Sequence, residues 1–437
     1  MPDILRVIVP WTAPVYRQWS GPHPMMTSLL GAYPEVAFTT ALTAPTPESA
    51  ERARQDEAAL RRQLSEPALG LAAADVDAFV ASRDRESQAM LTAPHDLVLH
   101  HSMPFTFGQR PWIMHIEELV TLFAPVLWHG QTAHVRVREL PIFRLVRHLL
   151  ESPACLAVSA HLRHSHEWLG RLFESERIAA KSRYMPFGVE FPPAVQARIA
   201  EGIAKRDASE DSGRDARLTF LFTNSWTQDP KSLVVRGGLD VLLAFARLQQ
   251  DHPNCRLILR SALPTEMLGP TFADFVRGIP NVDIIDRMVS TDEMADLFIA
   301  ADAYLLPSVG LHTVSLLQAM YFGAVLIAAD APGVEEFVTH NETGLMVPGR
   351  LGRTAWYDDT GLLNQTFEPL FQGVDQAFIS GLYGEMNRVV AEPDLRRRLR
   401  RRARDHVLKN HAMGPWQAGM ERILGDARRS IRGQKSG

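Results

Sequence analysis

The sequence predicts an α/β protein of two domains, each a parallel sheet covered by helices. Three observations lead there. Short apolar runs rich in Val, Ile and Leu recur along the chain and read as strands buried on both faces: Leu5–Val9, Leu97–His101, Trp112–Ile116, Cys155–Ser159, Leu218–Phe222, Cys255–Leu259, Val282–Ile285, Ala303–Leu306 and Ala324–Ala328. Between many of them lie longer stretches with one polar face and helix-start signals. A charged stretch with Gly and Ser and little apolar content, AEGIAKRDASEDSGRDAR at Ala200–Arg217, reads as an exposed linker. The expected domains are 1–199 and 218–412, joined by the linker at 200–217.

Composition narrows the class. The chain has 437 residues, 46% hydrophobic and 22% charged, enough for two or three domains with sizeable cores. A net charge of −4 argues against a nucleic-acid partner on bulk electrostatics. The two cysteines, Cys155 and Cys255, stand far apart, so a disulfide framework is not expected and a reducing, cytoplasmic compartment is. The opening MPDILRVIVPW lacks the charged lead and long apolar core of a signal peptide, and no apolar run is long enough to span a membrane.

The stretch Ala301–Val347 is the most informative. Ala303–Leu306 is a buried strand stopped by Pro307, and Ser308–Thr313 is a polar loop leading into a helix. Val314, Leu317, Ala319, Met320 and Tyr321 give that helix an apolar face, and Gly323 ends it. Ala324–Ala328 is a second strand, followed by the Asp330–Gly333 loop. A loop that leaves a strand and opens a helix gathers free backbone N–H groups at the positive end of the helix dipole, a ready site for phosphate.

Here the sequence resembles the group-1, family 4-like branch of retaining, nucleotide-sugar-dependent glycosyltransferases of the GT-B fold. The resemblance rests on Pro307-Ser308, Ala319-Met320, Gly323, Gly333-Val334-Glu335-Glu336 and Asn341-Glu342-Thr343-Gly344. Two places depart. The family's Glu that contacts the donor sugar is Gly310, and its Glu that holds the ribose is Gln318, which can still exchange hydrogen bonds with hydroxyls. The resemblance puts the donor diphosphate at the helix start formed by Gly310, Leu311, His312, Thr313 and Val314. It also puts Arg236, beside Gly237, where the family has a phosphate-neutralising Lys; a guanidinium preserves that chemistry. The family's preceding Arg is replaced by Asn224-Ser225-Trp226. Lys231 is a substitute or a solvated loop charge, and Arg260 is a further phosphate or base contact. The nucleobase is expected near Asp286–Met288, including Arg287.

In the first domain the resemblance is looser. His115 ends a strand at the place where a family His lies beside the transferred sugar, with Glu117 or Glu118 as its acidic neighbour. Trp11, Tyr16, Trp19 and His23 in the Pro10–Pro24 loop either face the acceptor or cover the sheet. Ser159 is expected to cap the helix that follows it. Of His161, His164 and His166 only the first two share a helix face, with no third ligand or carboxylate at suitable spacing for a metal. Gly349–Gln372 has no family counterpart and reads either as an insertion reaching over the cleft or as an elaborated surface loop. Seven arginines in Arg396–Arg404 read as a solvated helix face, or as a patch meeting anionic lipid or an acidic acceptor at the inner membrane face.

Together the resemblance implies two Rossmann-like domains facing a central cleft, with a last helix at about 413–437 crossing back to the first. The implied activity is metal-independent transfer of a hexosyl-type sugar, with retention, from a nucleoside-diphosphate sugar to a small-molecule, glycan or lipid-linked acceptor. The donor is a co-substrate and no cofactor is expected. Because Gly310 and Gln318 replace two carboxylates, the alternative is a binding or regulatory protein on the same fold.

Overall fold

The computed structural model describes residues 4–10, 28, 30–31, 33–40, 45–81, 90–102, 109–124, 126–127, 130–211, 217–224, 231–350 and 357–436. The chain divides into two compact units. One comprises Met1–Phe187, Tyr357–Thr366 and Gly414–Gly437; the other comprises Gly188–Trp356 and Phe367–Met413.

The first unit is built on a six-stranded parallel sheet of β1 (Leu5–Ile8), β2 (Val36–Thr39), β3 (Leu97–His101), β4 (Trp112–Ile116), β5 (Cys155–Ala160) and β6 (Ser182–Tyr184), in the order β2-β1-β3-β4-β5-β6. Every residue of β3 and β4 is buried. That is why these strands read as continuous rather than alternating apolar runs: helices cover both faces of the sheet. Phe123, Phe143 and Phe173 pack behind the sheet, with Phe143 and Phe173 stacked at 4.9 Å.

The second unit repeats the plan with β7 (Thr219–Thr223), β8 (Arg256–Arg260), β9 (Val282–Ile284), β10 (Ala303–Leu306), β11 (Val325–Ala329) and β12 (Leu345–Val347). Its order, β12-β11-β10-β7-β8-β9, is again wholly parallel. The first strand of this unit therefore lies beside the fourth, and the connections reverse direction between them. In an open α/β sheet that switch point is where ligands bind, at the carboxyl ends of the strands. Each half is a Rossmann-like α/β domain, and the pair is the GT-B architecture expected from the sequence. The last helix, Met413–Ser436, returns the chain to the first unit.

Several expectations change. Residues 200–211 are not a linker but the later turns of the helix Pro193–Asp211; residues 212–216 lie outside the described residues. The charges in that stretch dock the helix onto its own unit. Arg206 donates to the carbonyls of Ala301 and Phe322, and Arg198 pairs with Asp292 and Asp296. Ala- and charge-rich composition suits a helix fixed by ion pairs as well as it suits a linker. The chain passes between the units at Phe187 and Gly188 instead.

The Gly349–Gln372 segment is shared between the units, since Tyr357–Thr366 belongs to the first. It is held there by backbone bonds from Thr132 and Ala133 to the Gln365 carbonyl, by His164 bonded to the Gly361 carbonyl at 2.8 Å, and by buried Leu362 and Leu363. The arginine run is only partly solvated. Arg396 and Arg400 are buried, the first donating to the Val389 carbonyl and the second to Asp207 at 3.0 Å. On a helix, residues four apart share a face, and here that face docks inward. Ser159 is not a helix cap; it lies within β5, and the helix that follows starts at Arg163. Trp11, Tyr16, Trp19 and His23, with Ser225 and Trp226, lie outside the described residues.

Candidate functional site

The switch point of the second unit is built from two strand ends. Below it, buried Tyr304 of β10 and Thr223 of β7 share a hydrogen bond of 2.7 Å, which ties the two strands together across the reversal. Burial raises the Tyr304 phenol above its ordinary range, so it stays neutral. After β10, Pro307 stops the strand. The Ser308 hydroxyl then accepts from the Gly310 N–H at 3.3 Å and bonds His312 Nε2 at 2.9 Å. This small loop delivers the chain into the helix Thr313–Tyr321, whose cap residue, His312, makes no side-chain capping bond. Its first N–H groups thus keep the anion-binding character of a helix start.

After β7 the chain forms the short helix Ser232–Val235, then turns at Arg236 and Gly237 into the helix Gly238–Asp251. Gly237 has φ +78°, and a Cβ there would lie 2.4 Å from the Pro307 carbonyl oxygen. Only glycine satisfies both demands. The Val309 N–H also donates to the Val235 carbonyl at 3.3 Å. The Arg236–Gly237 turn and the loop before Thr313 are therefore sewn together. Arg236 is half-buried and its charge reaches Tyr304.

Most of the donor-side residues chosen from the sequence gather here: Arg236, Gly237, Gly310, Leu311, His312, Thr313 and Val314. Gln318 lies one turn further along the same helix as Val314, and both are half-buried. A Cβ built on Gly310 meets nothing within 4 Å, so the position is open as well as bare. Lys231 is exposed five residues before Arg236, with its ammonium 5.7 Å from the Phe371 ring centroid. Arg260, at the end of β8, is buried, and its guanidinium donates to the Asn224 carbonyl. Asn224 in turn bonds Ser261 at 3.1 Å and Ser232 at 2.7 Å, so Arg260 braces the loop that follows β7. Arg287 lies beyond β9. It is exposed and paired with Glu293 at 2.6 Å beside the Ser290–Glu293 capping box.

In the first unit, His115 is fully buried. Its Nδ1 bonds the Ser159 hydroxyl at 3.0 Å and its Nε2 bonds His161 Nδ1 at 3.1 Å. The ring stacks between His101 and His161 at 5.6 and 5.3 Å and meets the edge of Trp416 at 5.3 Å. Desolvation, reinforced by the neighbouring His161 and His101, holds it well below the usual histidine range and therefore neutral. A ring with both nitrogens engaged and no exposed surface offers no atom to a substrate in this arrangement. Glu117, just beyond the same strand, does reach the surface: it is 38% exposed and 3.4 Å from His101 Nε2. Among the described residues no group of three or more His, Cys, Asp or Glu side chains is arranged to hold a metal, and no helix is long and apolar enough to cross a membrane.

Sequence reasoning missed one element of the donor side. Asp240 and Arg350, 110 positions apart, form a buried ion pair directly behind the Arg236–Gly237 turn. Their spacing carried no signal of contact; only an acidic residue in a first helical turn was legible.

Residues 232–359 match the family model described as Glycosyl transferases group 1. That region includes the turn and the helix start just described. No curated protein matches the chain in sequence. Among solved structures, the chain is similar to Anabaena HepE, crystallised in complex with UDP, at 11% identity over 98% of this chain and 100% of that one, with a TM-score of 0.52. It is also similar to a glycosyltransferase of Rickettsia africae, at 11% identity over 99% of each chain and a TM-score of 0.50. Sucrose-phosphate synthase of Thermosynechococcus elongatus aligns at 17% identity over 78% of this chain and 74% of that one, with a TM-score of 0.50. These likenesses establish the fold. The match over 232–359 ties that part of the second unit to the group 1 glycosyltransferase model.

Proposed function

We propose that this protein moves a sugar from a nucleoside-diphosphate sugar to an acceptor, with retention at the anomeric carbon and without a metal. The observation that carries the reading is the joining of Arg236–Gly237 to the start of the Thr313–Tyr321 helix at the switch point of the second sheet. A leaving nucleoside diphosphate develops negative charge. A guanidinium on a fixed turn and the positive end of a helix stabilise it, which is the role a metal plays elsewhere. Gln318, one turn along, supplies hydrogen bonds to the ribose hydroxyls in this reading. The family match over 232–359 and the UDP bound by the similar Anabaena protein favour a nucleotide donor and make UDP-sugars the first to try. A hexosyl group is the expected cargo, and a small molecule, glycan or lipid-linked sugar the expected acceptor.

Incubation with a donor panel in chelator, followed by NMR of the product, tests all three parts. Product with the donor's anomeric configuration is expected. An inverted product would remove retention, and activity only after adding a divalent cation would remove metal independence. The bare, open Gly310 favours a second reading, a nucleotide-binding protein without transfer chemistry. Tight binding of a nucleoside diphosphate with no turnover of any donor, over a broad acceptor set, would select it.

A further inference from the structure

Arg350 follows β12 through Pro348 and Gly349 and turns inward. Its Nε lies 3.3 Å from Asp240 Oδ2, with the two side chains 1% and 0% exposed. Asp240 stands in the first turn of the helix Gly238–Asp251, three residues after Gly237. The same guanidinium donates through Nη1 to the Val234 carbonyl at 3.2 Å. Val234 lies in the short helix before the turn, two residues ahead of Arg236. Arg350 therefore grips both sides of the Arg236–Gly237 turn, the helix that enters it and the helix that leaves it.

The pair is a poor choice for stability alone. Among the described residues the Asp240 carboxylate finds no well-formed hydrogen-bond partner, and charge attraction at 3.3 Å is what joins it to Arg350. Desolvation outweighs that attraction and pushes the Asp240 carboxyl up to about 6. Buried pairs of this kind are often matched or bettered by apolar residues of similar volume, so their presence is weak evidence of a stabilising role. The pair does supply direction. Pro307 confines the turn from one side, where Gly237 already leaves no room for a Cβ. Arg350 ties the helix that enters the turn to the helix that leaves it, and the backbone between those two anchor points carries Arg236.

We propose that Arg350, held by Asp240, is a positioning residue for the diphosphate end of the donor site, acting through the Arg236–Gly237 turn without touching the ligand. This rests on the donor-site reading above.

The test is calorimetric titration. UDP, GDP, ADP and dTDP are screened by thermal shift, and the diphosphate giving the largest shift is titrated beside its own monophosphate. Arg350→Met is expected to weaken diphosphate binding about tenfold while changing monophosphate binding less than twofold. Arg350→Lys, which keeps a cation for Asp240, is expected to recover part of the loss. If Arg350→Met does not fold, the double variant Asp240→Asn/Arg350→Met removes both charges and is expected to fold with the same selective loss. A folded variant that keeps diphosphate affinity within twofold, while Arg236→Ala loses it, would overturn the positioning role and leave the donor site standing. Unchanged affinity in Arg236→Ala as well would overturn the donor-site reading and this role with it.

Discussion

The two sheets end differently at the carboxyl ends of their strands, and the contrast shows how a shared scaffold becomes specialised. In the second unit the ends of β7 and β10 lead into the Arg236–Gly237 turn and the helix start at Thr313, with open space at Gly310. In the first unit the described strand ends are filled by side chains: His101, His115 and His161 stack in a row, closed by Trp416. One end is organised to receive a charge. The other buries its polar groups against each other and keeps His115 neutral. Two wholly parallel six-stranded sheets thus yield a binding edge where backbone is left available and a packed edge where it is not.

The sharpest way to break the comparison is at Gly237. Gly237→Ala forces a side chain into positive φ and against the Pro307 carbonyl. A loss of about 2–3 kcal/mol in urea unfolding is expected, with nucleotide binding lost alongside. Gly310→Ala, in open space, should change stability by less than about 0.5 kcal/mol, and a larger change would show that the loop is tighter than its geometry.

Next in size is Arg236→Ala. It should lower nucleoside-diphosphate affinity by about 1–3 kcal/mol, as for a charged hydrogen bond, with the melting temperature little changed.

On the first unit, His115→Leu takes a partner from Ser159 and from His161. A loss of about 1–3 kcal/mol of stability is expected, with nucleotide affinity unchanged. A drop in affinity instead would give His115 a role at the donor. The pH response follows the same division. Burial lowers His115, and it also lowers His95, His164, His166 and His406. The folded chain therefore binds fewer protons than the unfolded one below about pH 6.5, and stability falls as pH drops through that value. Asp240 has the opposite sign. Its raised carboxyl contributes stability at low pH that is lost as pH rises through about 6. The five histidines outnumber the described carboxyls that burial raises, Asp240, Asp302, Asp330 and Glu335, so melting temperatures should fall between pH 7.5 and 5.5, and fall less in His115→Leu.

Smallest is the arginine run. Arg398→Ala, at an exposed position, should change stability by less than about 0.5 kcal/mol, whereas Arg400→Ala, which strips Asp207 of its partner, should cost more.

Legibility divided along the same line. The strands of the second unit and the helix start at Thr313 were readable because they depend on local signals: an apolar run, a Pro stop, a polar loop, an amphipathic repeat. The Arg236–Gly237 turn was readable as a motif, although its fit against Pro307 was not. Where a long-range contact decides the outcome, sequence was a poor guide. Residues 200–211 carry linker-like composition, yet Arg206, and Arg198 just before them, find partners 94 to 116 positions away and make the stretch part of a docked helix. His115 was placed at the right strand end but turned inward by Ser159 and His161, partners more than 40 positions on. The Asp240–Arg350 pair left no trace in spacing at all.

The most direct measurement is titration of the chain and of Arg236→Ala, side by side in chelator, with UDP, GDP, ADP and dTDP. One diphosphate should bind saturably to the parent chain and at least about tenfold more weakly to the variant. Binding of none of them, or equal binding by both proteins, would contradict a donor site at the Arg236–Gly237 turn.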